Sequence, residues 1–139
     1  ELIVPGAIRS LADRPVRRPL PIIHHGKTLN DPHRPYLGRY TGDEDTRRKP
    51  AYHNGTAWTW LFPSFCEAWT IAFGHSPEAR AAARDWLQSA VDLMAGGCVG
   101  QIPEILDGDA PHTPRGCDAQ AWGVSEVLRV LRLMDNDDA

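Results

Sequence analysis

Between residues 56 and 73, Ala57, Trp58, Trp60, Leu61, Phe62, Phe65, Cys66, Ala68, Trp69, Ile71, Ala72 and Phe73 leave almost no polar face. A segment apolar on every side predicts a helix buried all round, with a kink at Pro63. The next segment is of the opposite kind. Over residues 77–95, Ala79, Ala82, Ala83, Trp86, Leu87, Ala90, Val91 and Met94 form one stripe opposite Glu78, Arg80, Arg84 and Asp85, which predicts a helix on an outer layer. Ser76 suits the N-cap, Pro77 the first helical position, and Gly96-Gly97 the stop. A third helix is expected from Asp118 to Met134, with Ala121, Trp122, Val124, Val127, Leu128, Leu131 and Met134 as its apolar positions. The acidic tail from Asp135 to Ala139 is expected to fray. Inner helix, outer helix, long loop and helix make an all-α rhythm of stacked antiparallel pairs. No strand-type alternation of useful length competes with it.

Residues 1–50 break this rhythm. They are rich in proline and arginine and, outside Leu2-Ile3-Val4 and Leu20-Pro21-Ile22-Ile23, show no sustained period, so they read as a mainly irregular approach segment. His24-His25 with Asp31 and His33 lack the i, i+4 spacing that aims two imidazoles at one ion, so no metal and no cofactor is expected. Tyr36-Leu37-Gly38-Arg39-Tyr40-Thr41-Gly42-Asp43 is turn-rich, and its Tyr and Asp residues either touch a ligand or close a loop.

The whole chain, 139 residues with net charge −3, has the size of one domain. Its largest basic runs are Arg47-Arg48-Lys49 and the arginines from Arg14 to Arg18, too little to call for nucleic acid or an anionic membrane. Cys66, Cys98 and Cys117 are an odd number without CxxC spacing, so a cytoplasmic location is expected rather than a disulfide framework. There is no run of 18 apolar residues. The start, Glu1-Leu2-Ile3-Val4-Pro5, lacks Met, and the chain is expected to be a piece of a longer one.

Chemistry concentrates in the loop from Gly100 to Trp122, punctuated by Pro103, Gly108, Pro111, Pro114 and Gly116 and carrying Glu104, Asp107, Asp109, His112, Arg115 and Gln120. Glu104 stands among Ile102, Ile105 and Leu106, whose burial would hold the loop around a carboxylate; on composition alone it reads first as an exposed loop residue. Asp107 and Asp109 flank Gly108 and read as turn formers. Trp58, Trp60 and Trp122 either offer stacking faces to a sugar ring or pack in the core. His53, Asn54, Arg115 and Gln120 are candidates to bind its hydroxyls, with helix capping as the other reading of His53 and Asn54. Asn54-Gly55-Thr56 also fits the N-glycosylation pattern, idle in a cytoplasmic chain.

Two motifs carry a resemblance. Tyr52-His53-Asn54-Gly55-Thr56-Ala57-Trp58-Thr59-Trp60 resembles the Y-H-x-G-T-V-W-P-W segment of bacterial glycogen-debranching-type amylo-α-1,6-glucosidases. Gln101-Ile102-Pro103-Glu104-Ile105-Leu106-Asp107-Gly108-Asp109, followed by Pro114-Arg115-Gly116-Cys117 and Gln120-Ala121-Trp122, is similar to that family's closing motif. Pro5-Gly6-Ala7-Ile8-Arg9-Ser10-Leu11 and Tyr40-Thr41-Gly42-Asp43 extend the likeness from residue 5 to about residue 134, with an insertion at residues 14–35. Thr59 stands where the family has Pro, and Phe62-Pro63-Ser64-Phe65 replaces a Leu-Gly-Pro-Phe type run. The resemblance implies that residues 51–139 are the last helices of an (α/α)6 toroid and that the activity is inverting hydrolysis of α-1,6-linked glucose on a branched glucan. It places the general base at Glu104 and the general acid in an earlier part of the catalytic domain. The partners it implies are a glucan substrate and the rest of that domain, and the fragment alone is expected to be inactive and to self-associate. A noncatalytic sugar-binding or interaction module, or a trehalase-like or mannosyl-substrate enzyme of the same fold, is the alternative.

Overall fold

The computed structural model describes residues 1–136. Its strands are β1 (Ile3–Val4), β2 (Ala7–Arg9), β3 (Ile23–His24), β4 (Lys27–Thr28), β5 (Ala57–Trp58), β6 (Ile105–Leu106) and β7 (Pro114–Arg115). Its helices are α1 (Lys49–Tyr52), α2 (Leu61–Ala72), α3 (Pro77–Asp92) and α4 (Ala121–Asn136). The expectation of an all-α ring of helix pairs is overturned. Five strands in the order β1-β2-β5-β6-β7 form an antiparallel sheet, and β3-β4 is a separate hairpin, so the fold is mixed α and β. Each strand is two or three residues long, too short for a period of two to register. The sheet is held by pairings between distant residues, such as Ala57 with Leu106 and Trp58 with Ile105.

Helix α2 departs from its expected form in two ways. Residues 57 and 58 are strand, and Pro63 lies in the helix's first turn, where it starts the helix without kinking it. Phe62, Cys66 and Thr70 are buried, but Ala68, Ile71, Ala72 and Phe73 are exposed, so the helix is covered on one side only. Helix α3 matches its pattern: the Ser76 hydroxyl accepts from the Ala79 N–H at 3.2 Å, Pro77 takes the first position, and Ala79, Ala83, Leu87 and Ala90 face inward. The expected frayed tail is described only at Asp135 and the Asn136 backbone; residues 137–139 lie outside the described residues. One core unites the three long helices through Phe62, Cys66, Leu87, Val127, Val130 and Met134, with Ile102 entering from the loop. A smaller cluster of Val4, Ala7, Ala57 and Leu106 sits under the sheet, and Leu93 packs against both. Among the described residues no helix is long and apolar enough to cross a membrane.

β5 and β6 are neighbours although α2 and α3 lie between them in sequence. Thr59, just past β5, is buried and donates through Oγ1 to the Pro103 carbonyl at 2.6 Å, tying the end of that strand to the residue before Glu104.

Candidate active site

Glu104 precedes β6 and is half-buried. Its backbone is fixed on both sides, the N–H donating to the Cys117 carbonyl at 2.9 Å and the carbonyl accepting from the Thr59 N–H at 3.4 Å. Its carboxylate is fixed as well. The Tyr52 hydroxyl donates to Oε1, and the Cys117 backbone N–H donates to Oε2 at 3.1 Å. Gly116 makes the second contact possible: its φ of +72° suits glycine, and a Cβ there would collide with Glu104 Oε2. One donor on each oxygen leaves each with acceptor capacity toward solvent.

The carboxylate opens into a shallow cleft lined by Tyr40, Thr41, Gly42, Arg48, Pro114, Arg115, Gly116 and Asp118. Its far wall begins where the Asp43 carboxylate accepts from the Thr46 N–H at 2.9 Å and starts a π-helical turn, Glu44–Arg48, that leads directly into α1. The two walls are joined by Asp107, 2% exposed, which accepts the Tyr40 N–H on Oδ1 at 2.8 Å and the Arg115 guanidinium on Oδ2 at 3.1 Å. Asp109 does a similar task nearby, accepting from the Tyr36 hydroxyl at 3.0 Å and pairing with Arg39 at 3.4 Å. Both aspartates are tethers between segments far apart in sequence, beyond the local turns expected of them.

Of the residues singled out in the sequence, Glu104 and Arg115 line this cleft, and Arg115 reaches it with its guanidinium held by Asp107. His53 stacks on Trp58 with ring centroids 5.1 Å apart and planes 1° from parallel. Trp58 is 7% exposed and donates its indole N–H to the Tyr52 carbonyl at 3.1 Å. Asn54 donates to the Pro50 carbonyl at 2.7 Å and so closes the end of α1. Trp60 and Trp122 stack on each other 5.3 Å apart. The Gln120 side-chain oxygen is buried and makes no hydrogen bond among the described residues. Sequence reasoning does not single out Tyr52 as a site residue; that it opens the first motif is the signal available there. Tyr40 lies in the Tyr40-Thr41-Gly42-Asp43 stretch, whose reading is split between touching a ligand and closing a loop; Arg48 and Asp118 carry no such signal.

A family model described as amylo-α-1,6-glucosidase matches residues 11–129. The chain belongs to the amylo-α-1,6-glucosidase family. No curated protein and no solved structure matches it. The family match covers the whole cleft, from Tyr40 through Tyr52 and Glu104 to Asp118. It relates the chain to glycoside hydrolases and to the C-terminal region of glycogen-debranching enzymes.

Proposed function

We propose that this amylo-α-1,6-glucosidase-family chain carries the general-base side of an inverting site that removes α-1,6-linked glucose from a branched glucan, with Glu104 as the base. The observation that carries the reading is the Glu104 carboxylate, held by one donor on each oxygen at the floor of a polar cleft. Inversion requires such a group. It takes a proton from the water that attacks the anomeric carbon on the face opposite the leaving oxygen, while an acid about 6.5–9.5 Å away protonates that oxygen. Asp107 is not that acid, because Arg115 and the Tyr40 N–H occupy its two oxygens. The family resemblance puts the acid in an earlier segment of the catalytic domain, which makes that segment the partner proposed for this chain. The Tyr40–Gly42 wall and Arg115 offer hydrogen-bonding groups to the sugar, and Arg48, whose guanidinium lies 5.8 Å from the centre of the Tyr40 ring, closes that wall. His53 and Trp58 pack on Tyr52, whose hydroxyl holds Glu104. Three free thiols accord with a cytoplasmic location.

The test is Glu104→Gln in the enzyme assembled with its full catalytic domain, assayed by glucose release from a branched limit dextrin. The amide cannot accept the water's proton, so kcat is expected to fall by at least 10²-fold, the lower end of the contribution of general base catalysis, while KM changes little. Full retention of kcat overturns the assignment.

A further inference from the structure

Tyr52 is built into the fold more firmly than a rim residue needs to be. Its ring contacts three others: Trp58 at 4.7 Å, His53 at 4.8 Å and Tyr40 at 5.5 Å between centroids. Its carbonyl is pinned by two donors, the Thr56 hydroxyl at 2.6 Å and the Trp58 indole N–H at 3.1 Å. With both backbone and ring fixed, the phenol is left one direction in which to point, and Glu104 Oε1 lies there. We propose that Tyr52 is the positioning residue of this site: it orients the Glu104 carboxylate toward the cleft from behind, without itself touching the sugar.

The chemistry of the pair supports the assignment. Burial, and after it the hydrogen bond to Glu104, push the Tyr52 phenol far above its ordinary range, so it stays a neutral donor at every working pH. A donor that never ionises keeps one oxygen engaged and leaves the remaining lone pairs for water. The same pinning gives the fused Tyr52-His53-Asn54-Gly55-Thr56 motif a physical purpose. Thr56 and Trp58 hold Tyr52, His53 covers Trp58, and Gly55 lets the chain pass under Leu37, whose carbonyl a Cβ would strike at 2.4 Å.

The inference rests on the reading of Glu104 as base, and two measurements separate the two. In the chain labelled with 13Cζ-tyrosine, three resonances report Tyr36, Tyr40 and Tyr52, and Tyr52→Phe assigns the third. At neutral pH, Glu104→Ala is expected to shift the Tyr52 resonance and leave those of Tyr36 and Tyr40 in place, since the acceptor of the Tyr52 hydroxyl is gone. An unmoved Tyr52 resonance overturns the pairing, whatever the role of Glu104. In the assembled enzyme, Tyr52→Phe keeps the ring and loses the donor; kcat is expected to fall about 10–100-fold, the worth of one hydrogen bond to a charged group, with KM within about threefold. An unchanged kcat beside an inactive Glu104→Gln overturns the positioning role alone. An active Glu104→Gln overturns the base assignment and the kinetic role of Tyr52 with it.

Discussion

Asp107 is the residue on which the two walls of the cleft depend. It is a buried charge, compensated by the Arg115 guanidinium and the Tyr40 N–H, and removing it strands both partners. Losing one member of such a pair costs the uncompensated desolvation of the other. Asp107→Ala is expected to lower the unfolding free energy in urea by about 1–2 kcal/mol, the stranded Arg115 being partly exposed, and a change within experimental error removes its anchoring role. The sequence presented this residue as one of two aspartates beside a glycine, a turn signature. Nothing local to Asp107 distinguishes a turn former from a tether, because its partners lie 67 residues upstream and 8 downstream. Glu104 was legible for the opposite reason: its neighbours Pro103, Ile105 and Leu106 and the motif around it are contiguous. Tyr52, also contiguous with a motif, was hidden by the choice between sugar contact and helix cap for the residues beside it. A third role, orienting another residue's carboxylate, has no local sequence mark.

Among elements, the three long helices were largely readable because each contributes enough residues for a period to repeat. Helix α3 runs 16 residues with its cap in place. The strands, two or three residues each, carry no period at all, and their existence depends on partners brought in from elsewhere in the chain. The composition of α2 overstated its burial: apolar residues at Ile71 and Phe73 face solvent, 57% and 54% exposed. The packing of α2 against α4 carries a charge network, Arg129 with Glu67 at 2.6 Å and with Glu126 at 2.9 Å. The hydrogen bond from Arg129 holds both carboxyls below their usual range. A carboxyl depressed in the folded state adds stability above its unfolded value, near pH 4.3, and loses it as pH falls through the folded value. Arg129→Ala is therefore expected to flatten the acid side of the stability profile below about pH 5, by less than about 1 kcal/mol per pair because these groups are roughly a third exposed. Denaturant midpoints at neutral and acid pH, compared between the two proteins, check it; parallel profiles would refute it.

At the scale of the molecule, Ile71, Phe73, Trp122, Leu128 and Leu133 are all more than 40% exposed. Ile71 and Leu133 line one hollow between α2 and α4 together with Val130 and Met134. Exposed apolar surface of this kind favours association. The isolated chain is expected to associate with increasing concentration in light scattering, and Leu128→Lys with Leu133→Lys to reduce it; a monomer at every concentration would rule this out. The crossover within the sheet has a further meaning. β5 and β6 touch only after the whole α2–α3 hairpin has folded back between them, and Tyr52 meets Glu104 across 52 positions of chain. The entropy of closing that excursion must be met before the contact forms. The Tyr52–Glu104 contact, and with it the complete cleft, is thus a late product of folding.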